Sequence, residues 1–287
     1  MPFDVFDRVL RPLRSRPVTS RYPDAPPDLP AAARGLPELD PVRCDGSAAC
    51  VGACPTGAIS LSGSLWTLDA GACIFCGACE RACPRDAIRL GRRIELAARD
   101  RADLAIGRAW RGEAVTAEIP GVAADELLAA PRLRRAIWKA LSRSLHVRHL
   151  DAGSCNGCDW EIAALLNPYH DVQRLGIDFV ASPRHADLLL VTGIMTRNLE
   201  AAARRTYEAM PEPRLVVAVG ACAISGGVFA GSYAGRDGIA DVLPVDVFVP
   251  GCPPRPEALI QGLLVAIGRL APGLTDRAGA RVETGGE

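Results

Sequence analysis

Two chemically distinct units are predicted: an N-terminal α+β unit built on a duplicated cysteine motif, and a C-terminal α/β unit with an open parallel sheet. Three observations carry this. Seven of the 11 cysteines lie between residues 44 and 83. Within that stretch the sequence repeats, residues 49–61 (ACVGACPTGAISL) aligning with residues 78–90 (ACERACPRDAIRL). After residue 150 short apolar runs alternate with helical patterns, as in strand–helix–strand folds. With 287 residues the chain is long enough for two domains of roughly 100–200 residues each.

Composition narrows the function classes. Hydrophobic residues make up 49% and charged residues 23%, which is ordinary globular usage and excludes wholesale disorder. The 33 Lys plus Arg balance the 33 Asp plus Glu, so no global basic field recruits nucleic acid. The N-terminus lacks an apolar signal core. Residues 215–235 carry no charge, but five glycines interrupt them, so a buried strand and a Gly-rich loop fit better than a membrane span.

Five segments are expected. Residues 1–40 form an extended, loosely docked tail, within which Phe3, Phe6, Leu10 and Leu13 keep the spacing of an amphipathic helix suited to a membrane subunit or anionic headgroups. Residues 41–92 form the duplicated cysteine unit; each half is too small to bury a core alone, so a metal centre must hold it. Residues 93–148 read as a helical connector, with periodicity strongest over 127–145. Residues 149–272 form the α/β unit, with strands at 176–181, 187–192, 215–219 and 245–249 and helices at 199–210 and 257–270. Residues 273–287 are Gly-rich and polar and read as a disordered tail.

The chemistry rests on the cysteines. An odd count suits a disulfide framework poorly, and a chain of this length does not need one. Cys73, Cys76, Cys79 and Cys83 with Pro84 spell C-x-x-C-x-x-C-x-x-x-C-P, a run that wraps three thiolates around one cubane and sends the fourth to a second. Thiolate suits the iron of a sulfide-bridged core, whereas zinc would leave surplus thiols. In the first copy, CDGSAACVGACP, Ser47 stands at the second ligand position. Crossed ligation then gives cluster one Cys44, Cys50 and Cys83, and cluster two Cys73, Cys76, Cys79 and Cys54. Cluster two is a 4Fe-4S centre. Cluster one is either 3Fe-4S, 4Fe-4S with a non-Cys ligand such as Ser47, or lost.

A third set lies in the α/β unit. Cys155 and Cys158 sit in DAGSCNGCDWEI, Cys222 in GACAISGG and Cys252 in PGCPPRP. Cys222 and Cys252 follow predicted strands, where ligand sites of open α/β sheets fall. A disulfide or a structural zinc site are the alternatives. Asp159 and Glu161, in the first turn of a helix, either relay protons or complement its dipole. His185 is a candidate donor to a cluster sulfur, and Arg255 a candidate to stabilise the reduced cluster by charge.

The motifs SCNGCDWE, FVASPRHADLLLVTG, PRLVVAVGACAISGGVF and LPVDVFVPGCPPRPEAL resemble the small, NuoB-like subunit of membrane-bound NiFe hydrogenases of the energy-converting and formate hydrogenlyase type. Residues 1–90, including SRYP at 20–23, resemble the two-cluster ferredoxin subunit of the same complexes, so two usually separate subunits are fused here. The resemblance implies a ferredoxin-like unit followed by a flavodoxin-like one, with a proximal 4Fe-4S cluster on Cys155, Cys158, Cys222 and Cys252. Ala221 stands where the family often has an acidic residue.

The resemblance further implies an electron-transfer subunit of an oxidoreductase, peripheral on the cytoplasmic side of the cell membrane. Its partners would be a NiFe large subunit carrying the catalytic centre, integral membrane subunits, and an external electron donor or acceptor. The related quinone-reducing complexes generally have adjacent cysteines at the first position, whereas Asn156 and Gly157 separate Cys155 from Cys158 here. A complex-I-like quinone oxidoreductase subunit and a free ferredoxin-type carrier are the rival functions.

Overall fold

The structure, a computed structural model, describes residues 17–109, 116–117, 137–138 and 141–270. The amphipathic pattern at Phe3–Leu13, the polar tail and most of the helical pattern at 127–145 lie outside the described residues.

In the N-terminal unit, β1 (Pro37–Leu39) pairs antiparallel with β4 (Ile88–Leu90), tying the start of the cysteine repeat to its end. Between them run α1 (Ala49–Ala53), β2 (Ile59–Ser62), β3 (Leu65–Asp69) and α2 (Ala78–Ala82). The repeat extends to the backbone. Each short helix is entered through a left-handed residue, Ala48 (φ 58) or Gly77 (φ 72), and left through a cysteine in extended geometry, Cys54 or Cys83. A positive φ turns the chain sharply without extra residues, which lets a ligand loop close around a compact centre.

Residues 93–109, expected to begin a helical connector, contain one 3-10 turn (Ala102–Leu104) and then strand β5 (Ala105–Ala109). With β6 (Thr116–Ala117) it completes an antiparallel sheet ordered β2-β3-β5-β6. Arg101 binds both carboxylate oxygens of Asp69 and fastens the turn to β3. The Ala- and Arg-rich composition favours helix locally, but Leu104 and Ile106 find their burial on the sheet.

The C-terminal unit runs β7 (Leu145–Asp151), α3 (Gly157–Ala164), β8 (Ile177–Phe179), β9 (Leu188–Thr192), α4 (Arg197–Glu208), β10 (Leu215–Val219), α5 (Gly220–Ser225), β11 (Val247–Val249) and α6 (Pro256–Leu270). All five strands are parallel, in the order β11-β10-β9-β7-β8. Counted from its first strand this is 2-1-3-4-5, the flavodoxin-like order, with its switch point between β7 and β9. Strand β7 departs from the sequence pattern: it falls where helical periodicity predicts the connector, and His146, Arg148 and His149 mask its alternation around buried Leu145 and Val147. Asp187 fixes its position by accepting from the Arg143 guanidinium (2.7 Å, twice) and the His146 amide (2.9 Å).

Both faces of a parallel sheet must be covered. One face, with Leu188, Leu190, Val217, Val219, Val247 and Val249, packs against α6 through Leu259, Leu263 and Ile267. On the other face, Leu189, Val191, Val216 and Phe248 belong to a cluster continuous with Trp66, Leu68 and Ile88 of the N-terminal unit. The two units therefore share a core.

The chain on either side of the cysteine repeat is also docked. Ala98 exchanges two backbone hydrogen bonds with Phe248 (3.0 and 2.8 Å), capping the β11 edge. Residues 17–40, expected to be loosely attached, are held: the Ser20 amide donates to the Tyr169 carbonyl (2.7 Å), Arg174 donates to the Ser20 and Tyr22 carbonyls, and the Tyr22 hydroxyl donates to Glu95 (2.7 Å). The Tyr22 ring is 2% exposed. Tyr22→Ala is expected to cost about 3–5 kcal/mol in urea unfolding, as for a buried aromatic. Tyr22→Phe, which loses only the bond to Glu95, should cost about 1–3 kcal/mol.

Candidate metal centres

All eleven cysteines are free thiols, and the fold gathers them into three groups. The first joins Cys50 to Cys44 of its own repeat and to Cys83 of the other: these thiols act on one another electrostatically, and burial raises the Cys50 pKa. The Trp66 indole N–H is buried with no acceptor in hydrogen-bond geometry, yet lies near enough to favour the Cys50 thiolate. A sulfur-rich anionic group there would satisfy it.

The second group joins Cys73, Cys76 and Cys79 to Cys54 of the other repeat. Burial pushes Cys73 up to about 12 and Cys79 to about 11, and neighbouring thiols add to both shifts. Backbone amides point at the sulfurs: Phe75 N–H to Cys73 Sγ (3.4 Å), Ala78 N–H to Cys76 Sγ (3.5 Å) and, in the first group, Ala87 N–H to Cys83 Sγ (3.2 Å). Such bonds favour thiolate and stabilise the charge of an iron–sulfur core.

The third group lies at the carboxyl ends of three parallel strands. Cys155 and Cys158 follow β7, Cys222 is on α5 after β10, and Cys252 follows β11. Cys158 feels Cys222, Cys252 and Cys155, and burial drives its pKa far above the ordinary thiol range. Cys222 is pushed up to about 11 by burial first and then by Cys252 and Cys155. Glycine is required around these sulfurs. At Gly220 (φ +86) a Cβ would stand 2.8 Å from Cys158 Sγ, and at Gly251 (φ +155) it would collide with Pro254 at 2.3 Å.

Among the described residues, no three His, Cys, Asp or Glu side chains are grouped as ligands of one metal ion. A cubane spreads its thiolates over separate irons, so its ligands stand wider apart. Free thiols gathered in groups, amides aimed at sulfur and glycine cradles fit an iron–sulfur core.

The second and third groups adjoin. A cavity of about 460 Å³ is lined by Cys76 with Ile74 and Phe75 on one side, and by Cys252 with Pro253 and Arg255 on the other. Cys76 also acts electrostatically on Cys252.

The other candidates separate. Arg255 is at this cavity, with Glu257 Oε2 3.7 Å from its Nε, and it pulls down the Glu161 pKa against a larger rise from burial. Ser47 is exposed; its amide donates to Asp45 (3.0 Å), and Ser47 thereby holds the Asp45 carboxyl below its ordinary value. His185 is not at a cysteine site. It lies on the 3-10 turn preceding β9, at the amino end of a strand whose sheet carries the cysteines at its carboxyl end, and its carbonyl meets His146 Nδ1 (3.0 Å). Sequence reasoning passes over His149 and Thr192, which bond Asp159 beside Cys158; their role exists only once β7 and β9 are neighbours.

Residues 155–266 match the family model of the NADH ubiquinone oxidoreductase 20 kDa subunit, and residues 66–89 that of the 4Fe-4S binding domain. A relative in Pyrococcus furiosus, "Probable membrane-bound hydrogenase subunit mbhJ", is 49% identical over 47% of this chain and 81% of its own. Formate hydrogenlyase subunit 7 of Escherichia coli is 43% identical over 51% of this chain and 56% of its own. An NADH-quinone oxidoreductase subunit of Desulfovibrio desulfuricans is 51% identical over 37% of this chain and 58% of its own. The chain thus spans little more than half the length of the last two.

Cys79 and Cys222 hold their protons more tightly folded, near 11, than at the ordinary value of 9.0. Their contribution to the cluster-free fold is full below about pH 9 and is lost as pH rises toward 11. The urea midpoint of cluster-free protein should therefore fall across that window, and reconstitution with iron and sulfide should release protons.

Proposed function

Because the chain belongs to the family of the NADH ubiquinone oxidoreductase 20 kDa subunit, with a 4Fe-4S binding unit ahead of it, we propose that it is the iron–sulfur electron-transfer subunit of a membrane-associated NiFe hydrogenase complex. Iron–sulfur clusters supply one-electron transfer at potentials that the protein tunes through burial and hydrogen bonds. On this reading Cys44, Cys50 and Cys83 hold cluster one, Cys54, Cys73, Cys76 and Cys79 hold cluster two, and Cys155, Cys158, Cys222 and Cys252 hold the proximal cluster. Residues 41–92 are the two-cluster unit and residues 149–272 the proximal one.

The observation that carries the proposal is the cavity shared by Cys76 and Cys252. It supports a path on which cluster two neighbours the proximal site and cluster one exchanges electrons with an external donor or acceptor. The protein's part is to hold these two sulfurs on the wall of one cavity, close to one another. Arg255, on the same wall, lowers the cost of an added electron there. The proximal cysteines open outward, Cys155 and Cys252 being exposed, as delivery to a NiFe large subunit requires.

Among the described residues no helix is long and apolar enough to cross a membrane. The proposal places the chain peripherally, on integral membrane subunits at the cytoplasmic side, as the similarity to a membrane-bound hydrogenase subunit supports. The identity to an NADH-quinone oxidoreductase subunit supports a second reading, in which the same site serves a quinone. The separation of Cys155 from Cys158 favours the hydrogenase.

Iron, sulfide and nickel analysis of the untagged native complex, with low-temperature EPR, tests this. About 11–12 irons are expected on this chain, with nickel on a co-purifying large subunit. Iron without nickel, together with quinone reduction, would establish the quinone reading; iron in a lone chain would make it a free carrier. Ser47→Cys should bring the iron count to about 12 and change the EPR signal of cluster one alone.

A further inference from the structure

We infer that Asp159 positions the Cys155–Cys158 ligand loop and holds a fixed negative charge beside the centre these cysteines carry, biasing that centre against reduction. This rests on the proximal-cluster reading above. As a first-turn carboxylate Asp159 would simply complement the α3 dipole, but its side chain is engaged elsewhere.

Asp159 closes the ligand loop on itself. Ser154 immediately precedes Cys155, Asp159 immediately follows Cys158, and the Ser154 hydroxyl donates to Asp159 Oδ2. Ser154 Oγ also accepts from the Asn156 amide (3.0 Å), while Asp151 Oδ1 accepts from the Gly153 and Ser154 amides (2.8 and 2.7 Å). The other oxygen ties the loop to the sheet. Thr192 Oγ1, at the end of β9, donates to Asp159 Oδ1 (3.0 Å), and His149 Nε2, on β7, lies 2.9 Å from the same atom. One carboxylate therefore spans the switch point of the sheet and fixes both cysteines relative to it.

Its charge is not cancelled there. Thr192 is fully buried and neutral. Burial lowers the His149 pKa, outweighing the pull of Asp159 and Asp151 in the other direction, and Arg148 lowers it further. The lowered His149 pKa favours a hydrogen-bonded contact with Asp159 over an ion pair. These contacts fix the Asp159 carboxylate directly beside Cys158, and a fixed negative charge there opposes an added electron on the group the sulfur would bind.

The test is a potentiometric titration, followed by EPR, of the full chain in its complex, with iron content measured on the same samples. Cys158→Ala identifies the signal of the proximal site. Asp159→Asn, which keeps the shape and removes the charge, should raise the midpoint potential of that signal alone at unchanged iron content. Thr192→Val, which keeps the charge and removes a donor that partly offsets it, should lower it. Ser154→Ala should leave the charge in place and speed loss of iron to a chelator. If the variants retain iron and their potentials do not move, or move in the same direction, the inference is overturned. If Asp159→Asn does not assemble, the direction of the Thr192→Val shift decides. If Cys158→Ala removes no iron and no signal, the proximal-cluster reading itself fails, a result separable from an unmoved potential.

Discussion

Two loops from opposite halves of the chain, one carrying Cys76 and the other Cys252, meet across a single cavity, and the means of holding them there account for much of the architecture. The cysteine repeat is fastened at both of its chain ends. Ahead of it the segment around Tyr22 is clamped by Arg174 and the Tyr169 carbonyl, and behind it Ala98 pairs with the β11 edge. Tyr22 and Glu95 then join the incoming and outgoing segments directly. A hinge at either end would let the two cysteine loops drift apart.

The same attachment settles a packing problem. A five-stranded parallel sheet has two apolar faces, and α6 covers only one of them. Part of the other enters a cluster that reaches Trp66 and Leu68 of the N-terminal unit. Burial of this kind contributes on the order of 25 cal/mol per Å² of apolar area, so separating the units would expose both cores. Fusion in one chain thus gives a fixed mutual position as well as equal stoichiometry.

Crowding thiols is costly, and the structure meets the cost locally. Burial and neighbouring sulfurs raise Cys73, Cys79, Cys158 and Cys222, which means that the polypeptide alone resists the charged form that a metal centre needs. Amides from Phe75, Ala78 and Ala87 act in the opposite sense. The bound core supplies the rest, so these regions are built to be completed by their cofactors.

Cysteine spacing, an offset repeat and alternating apolar runs are enough to read from sequence the two-unit fold class and four of the five parallel strands, because each leaves a local signature. Crossed grouping of the first two cysteine sets is also legible, since it follows from duplication, and the thiols of Cys54 and Cys83 do face the opposite repeat. What depends on non-local pairing is not legible. β7 is hidden by its charged residues, β5 by its helix-favouring surroundings, and the docking of Tyr22 by a Pro-rich neighbourhood that reads as a tail. His185 is drawn toward the clusters by its motif, yet lies at the other end of its strand, because parallel strands put every amino end on one edge. The sequence by itself determined where the thiols cluster, since that follows from residue type and spacing. Only the tertiary structure decided which sites adjoin and which charges act on them, because these depend on strand order and on distances across the fold.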